Sequence, residues 1–151
     1  MVRTLGIDLG SKRIGVAVSD TDGRMATPIE TVARSGDRRR DHRRLLAIAD
    51  EWEVEHIVVG LPLSLDGSHG PAVVLVLEEV AQLRDVAPVP VDTYDERLTT
   101  VTADRTLREL DLDAKARRKV IDQVAAAVLL QAWLDGQRNQ PDAADEPDPH
   151  T

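Results

Sequence analysis

Three stretches of the 151-residue sequence hold carboxylates where they could do chemistry. In Gly6-Ile7-Asp8-Leu9-Gly10, Asp8 ends a predicted strand between glycines that let another backbone or a phosphate come close. Asp95-Glu96-Arg97-Leu98-Thr99-Thr100 gathers two acids, an arginine and two hydroxyls directly after a late predicted strand. Asp122 follows Ile121 inside an apolar helix, at the edge of the stripe that must be buried, and a carboxylate there needs a partner or a cation. Each also has a plainer reading: Asp8 as a turn cap, Thr99 or Thr100 as a helix cap, and Asp122 as a rim acid bonded to Arg118 or Lys119. Acids from a first strand, a late strand end and a last helix can converge on a hard divalent cation, Mg²⁺ or Mn²⁺. Such a cation activates water and stabilises charge on a phosphodiester, in pairs about 4 Å apart in two-metal sites. The residues alone reach phosphoryl hydrolysis and no particular substrate.

Composition narrows the classes further. With no cysteine, disulfides, zinc–thiolate sites, iron–sulfur clusters and cysteine nucleophiles are excluded. A net charge of −8 argues against coating duplex nucleic acid by bulk electrostatics. The charge is uneven, however: Arg34, Arg38, Arg39, Arg40, Arg43 and Arg44 crowd one region, while Asp142, Asp145, Glu146 and Asp148 collect near the end. Aromatics are 2% of residues, so base-stacking platforms are scarce and backbone and shape should dominate any nucleic-acid recognition. His42, His56, His69 and His150 share no metal-ligand spacing, and Trp52 and Trp133 close helical stripes as packing residues. No segment approaches the ~20 apolar residues of a membrane span, so the expected location is the cytoplasm.

The elements that must position the acids follow from periodicity. Arg3–Asp8, Ile14–Asp20 and Thr27–Ala33 read as strands of an antiparallel meander, joined by Gly10-Ser11-Lys12 and Asp20-Thr21-Asp22-Gly23 turns. Leu45, Leu46, Ile48, Ala49 and Trp52 define a helix from about Arg38 to near Glu53. His56–Gly60 is a continuous apolar run, expected in the middle of the sheet. Val73, Val74, Leu77, Val80, Ala81 and Leu83 mark a second helix, and the prolines of Pro88–Thr93 mark an edge strand. A helix from Thr99 or Thr100 to Leu110 and another from Ala114 to Leu134 complete the order β-β-β-α-β-α-β-α. The expectation is an α/β fold of ribonuclease H-like order over residues 1–136, a mixed five-stranded sheet with helices on both faces. Residues 137–151 read as a disordered acidic, proline-containing tail.

Four stretches in this order resemble the YqgF/RuvX family of Holliday-junction-resolvase-like proteins: GIDLGSKRIGVAVSD from Gly6, VVGLPLSLDGS from Val58, DERLTT from Asp95 and IDQVAAAVLLQ from Ile121. The resemblance implies a ribonuclease H-like fold, a divalent metal, and maturation of the 5′ end of the 16S rRNA precursor, with branched DNA as the alternative substrate. It sets Asp8, Glu96 and Asp122 on the catalytic and metal-binding positions, and implies that Lys12, Arg13 and Arg97 contact phosphate. Two departures stand out. Ala72, Val73 and Val74 are apolar where the family is expected to be polar or basic. Junction resolvases of this fold usually carry an acid at the end of the central strand, where this chain has Gly60-Leu61-Pro62, so either Glu96 substitutes from the neighbouring strand or the site is weaker than a resolvase's. A module of the same fold that binds nucleic acid or protein without catalysis is the competing class, and it has little reason to keep all three carboxylates.

Overall fold

The computed structural model describes residues 2–62, 70–95 and 114–139, with side chains in the last segment described for 124–137. Strands β1 (Thr4–Leu9), β2 (Arg13–Ser19) and β3 (Ala26–Ala33) form the expected antiparallel meander. Helix α1 (Arg38–Glu51), strand β4 (His56–Leu61), helix α2 (Pro71–Val86), strand β5 (Val91–Asp95) and helix α3 (Ala114–Asn139) follow. The sheet order is β3-β2-β1-β4-β5, with β4 parallel to both β1 and β5. β1 is therefore the central strand, and β4, expected in the middle, is the interior strand beside it. β5 lies at the edge, with Pro88 and Pro90 just ahead of it, where a missing N–H costs no ladder bond.

Alternation along β1 assigns the two faces. Leu5 and Ile7 are fully buried in one core with Leu45 and Ile48 of α1 and Val80 and Leu83 of α2. Gly6 faces the other way: a Cβ there would lie 2.8 Å from Leu130 Cβ and 3.1 Å from the Ala126 carbonyl of α3. Its partner in register is Ala17, which packs with Ala126, Leu130 and Leu134. This pair of small residues lets α3 lie close on the sheet. Helices thus cover both faces, with α1 and α2 on one side and α3 on the other.

Local chemistry sets the ends of the elements. Asp37 caps α1 by accepting from the Arg39 and Arg40 amides, and Pro71 opens α2, where its missing N–H is harmless. α1 stops at Glu51, slightly before the expected end, because Glu53 turns the chain through a positive φ of 54°. Trp52 sits on the rim, 37% exposed, with the Arg3 guanidinium 5.9 Å from its ring. The α2 stripe needs correction. Val73, Val76, Glu79, Val80 and Leu83 are buried, whereas Val74 and Ala81 are exposed. A period of 3.6 residues brings Glu79 inward even though it is charged. α3 runs on to Asn139, past Gln137, and the rest of the expected tail lies outside the described residues, as does the helix expected between Thr99 and Leu110. Among the described residues no helix is long and apolar enough to cross a membrane.

Candidate active site

Asp8 is half-buried near the C-terminal end of β1, on the same face as Gly6 and therefore on the α3 side. The turn that follows is tight. The Gly10 amide donates to the Asp8 carbonyl at 3.1 Å, and a Cβ on Gly10 would fall 2.4 Å from the Arg13 carbonyl, which no side chain tolerates. Lys12 is exposed on this turn and Arg13 is half-buried where β2 begins, two strand residues from the edge that Asp8 occupies in the β1–β2 register.

Parallel pairing brings the ends of β4 and β5 to the same edge. Ile7 pairs with Val59, so Asp8 comes level with Gly60, which in turn pairs with Tyr94. Asp95 pairs with Leu61 one residue further on and is half-buried. Burial pushes the Tyr94 phenol up, and the charges of Asp95 and Asp135 push it the same way. Glu96 and Arg97 follow Asp95 directly and lie outside the described residues.

The direction of α3 comes from two contacts. The Trp133 ring meets His56 edge-on at 5.0 Å, at the start of β4, while Ala126 and Leu130 lie over Gly6 in the middle of β1. Moving toward lower numbers in α3 thus moves along β1 toward Asp8. Asp122 stands four residues, one helical turn, before Ala126; its side chain lies outside the described residues. Asp8 is the one member of the expected trio whose side chain is described, and among the described residues no three His, Cys, Asp or Glu side chains form a group that could hold a metal ion. The donors at this edge are carboxylate oxygens, which fit a hard divalent cation and not a soft one.

A charged cluster on the other face was not legible in the motifs. Glu79 is 3% exposed; both its oxygens accept from the Arg34 guanidinium, at 2.7 and 2.9 Å, and Oε2 lies 2.8 Å from His42 Nε2. Arg34 Nε also donates to the Gly10 carbonyl at 3.0 Å. The available signal was Glu79 itself, a carboxylate three residues after Val76 on the buried stripe. The arginine run is split by its partners: Arg34 goes to Glu79, Arg44 forms an ion pair with Glu30 at 2.7 Å, and Arg38 donates to Gln82 at 3.2 Å while its Nε lies 3.9 Å from Glu79. Arg39, Arg40 and Arg43 are exposed.

This cluster makes stability depend on acid. Burial raises the Glu79 pKa, but hydrogen bonds from His42 and Arg34 and their charges outweigh it and hold the carboxyl at about 2 instead of 4.5. A carboxyl lowered in the folded state contributes its stability above the unfolded pKa and loses it as pH falls from 4.5 toward 2. The contribution is on the order of 3 kcal/mol. Urea unfolding at about pH 6 and about pH 3 should show wild type losing stability of this order while Glu79→Gln, less stable at the higher pH, loses much less. Equal losses in both proteins would assign the acid sensitivity elsewhere.

The mixed sheet, in the order β3-β2-β1-β4-β5 with helices on both faces, is a ribonuclease H-like fold. It aligns with Thermus thermophilus RuvC in complex with Holliday junction substrate at a TM-score of 0.59 and 20% identity, covering 92% of this chain and 97% of that one. Residues 2–136 match the RuvX family, described as Holliday junction resolvase, and the chain belongs to that family. A Rhodococcus opacus protein named "Putative pre-16S rRNA nuclease" is 50% identical over 147 residues, covering 95% of this chain and 83% of its own length. A Myxococcus xanthus protein of the same name is 48% identical, covering 97% and 96%.

Proposed function

We propose that the chain is a metal-dependent nuclease that hydrolyses phosphodiester bonds and matures the 5′ end of the 16S rRNA precursor, holding Mg²⁺ or Mn²⁺ with Asp8, Glu96 and Asp122. The observation that carries this reading is the half-buried Asp8 carboxylate at the end of the central strand, on the face that α3 covers. The parallel β5 supports Glu96 as its neighbour, since Glu96 follows the residue that ends β5 at the same sheet edge. The direction of α3 supports Asp122, one turn before Ala126. Bound metal supplies an activated water and offsets charge on the phosphodiester. The chain's own residues would hold the ion and, through Lys12, Arg13 and Arg97, contact the substrate phosphates. The nuclease domain is residues 1–136, followed by an acidic tail, and the protein works in the cytoplasm, where the precursor is.

The names of the relatives favour RNA. The family description, Holliday junction resolvase, favours branched DNA as the second reading. Incubating purified protein with 5′-extended 16S precursor and with a four-way junction, in Mn²⁺, Mg²⁺ or chelator, decides between them. Metal-dependent cleavage of the precursor alone is expected. Cleavage of the junction alone would transfer the reading to DNA, and cleavage of neither would favour a binding module.

The exposed arginines at the start of α1 are a proposed nucleic-acid contact. Arg39 and Arg40 are exposed, and Arg38 is partly engaged by Gln82 and Glu79. Changing Arg38, Arg39 and Arg40 together to Ser should flatten the dependence of log K on log salt, by roughly 0.7 to 0.9 for each phosphate that the protein no longer neutralises. An unaltered slope in a salt titration would return these residues to ordinary solvated surface.

A further inference from the structure

Arg34 is the hub of contacts that reach the β1–β2 turn from three elements. Its Nε donates to the Gly10 carbonyl at 3.0 Å, and its own amide donates to the Lys12 carbonyl at 2.9 Å. Its remaining guanidinium nitrogens fork onto Glu79 of α2 at 2.7 and 2.9 Å. His42 of α1 meets Oε2 of the same carboxylate with its Nε2, at 2.8 Å. The chain next to Arg34 is fixed as well, because the Ser35 amide donates to the buried Asp41 carboxylate at 3.1 Å. Glu79, His42 and Asp41 are all nearly inaccessible to water.

A buried arrangement of this kind is a poor way to stabilise a fold, since removing the charges from water offsets much of their attraction and apolar residues of similar volume often serve as well. An apolar residue at position 34, however, would keep the main-chain bond to Lys12 but could not donate to the Gly10 carbonyl. The turn in question joins Asp8 to Arg13, and the guanidinium is rigid, planar and held by a fork to the carboxylate. We propose that Arg34 and Glu79, steadied by His42, are positioning residues that clamp the Gly10–Lys12 turn and thereby fix Asp8, Lys12 and Arg13 for the metal and the substrate phosphate. The consequence for catalysis rests on the nuclease reading above; the clamp itself does not.

Arg34→Lys keeps the positive charge opposite Glu79 but loses the fork and the reach to Gly10, while Glu79→Gln keeps the shape and removes the charge. Hydrogen exchange of peptides spanning residues 8–14 should quicken by about tenfold in both variants. Mn²⁺ affinity measured by calorimetry, and kcat on the cleaved substrate, should each fall by about tenfold or more. The KM for nucleic acid should stay within about threefold, because the bulk of the contact surface is untouched. Leu83→Ala, a cavity in the same core away from the turn, serves as the control for simple loss of stability: it should melt lower yet keep wild-type exchange in residues 8–14 and wild-type Mn²⁺ affinity. If Glu79→Gln does not fold, Arg34→Lys carries the test. Unchanged exchange in residues 8–14 would overturn the clamp. A loosened turn with unchanged Mn²⁺ affinity and kcat would overturn its positioning role, as would equal losses in Leu83→Ala. A wild type that binds no Mn²⁺ would remove the nuclease reading, and the exchange pattern would still decide the clamp.

Discussion

Asp8→Asn is expected to fold normally and to lose roughly a thousandfold in cleavage. The side chain keeps its size and its place at the end of β1, so the core beneath it, Leu5 and Ile7 on one face and Gly6 against α3 on the other, is undisturbed. What is lost is one negative charge and one strong oxygen donor. Removing a single group that stabilises transition-state charge typically costs about 10²–10³ in rate, and a direct ligand that also holds the ion should lie at the upper end. In chelator the variant should melt no lower than wild type, because like charges gathered without a cation repel. Single-turnover cleavage with matched protein preparations is the check. A variant with wild-type activity would show either a contaminating nuclease or a site elsewhere.

Gly6→Val tests the other requirement, that β1 and α3 lie close enough for their acids to meet. β-branched residues favour strands, which alone would stabilise the variant by up to ~1 kcal/mol. Sterics act in the opposite direction and are larger. The first carbon alone would stand 2.8 Å from Leu130 Cβ and 3.1 Å from the Ala126 carbonyl, neither of which is the flexible end of a side chain. Overpacking of this kind costs about 1–3 kcal/mol, and the branched methyls bring Val to about 3 or beyond, so melting should fall by roughly 10 °C. The helix must then lift off the strand. Mn²⁺ affinity should fall with it, although no proposed ligand has been altered, and Gly6→Ala should show both effects in smaller measure. A Gly6→Val protein that melts lower yet binds Mn²⁺ as wild type does would separate α3 from the site.

Which features could be read from the sequence has a physical pattern. The meander was legible because its apolar alternation and its turn residues agree, and Asp8 stood out because glycines at 6 and 10 mark close approach and a tight turn. The edge position of β5 followed from its flanking prolines. The face of α2 differs from the expected one because hydropathy counts Val74 inward and Glu79 outward, while the helix period and the partners of Glu79 decide otherwise. Those partners lie 45 and 37 residues away in sequence, and no local pattern reports a pairing that only the folded chain creates. The arginine run offers less free charge than its density suggests for a related reason: Glu79 and Glu30 occupy three of its members. Glu96 and Asp122 rest on the motifs and on the elements that carry them.

Melting temperature measured across a Mn²⁺ series starting from chelator, for wild type beside Asp8→Asn, Glu96→Gln and Asp122→Asn, decides whether the three carboxylates hold a metal together. An ion that binds only the folded protein stabilises it by RT ln(1 + [L]/Kd), about 2.7 kcal/mol at a hundredfold excess over Kd. For a domain of this size that corresponds to a rise of roughly 5–10 °C. This rise is expected for wild type, with a much smaller one for each of the three variants. Parallel curves for all four proteins would contradict a shared metal site.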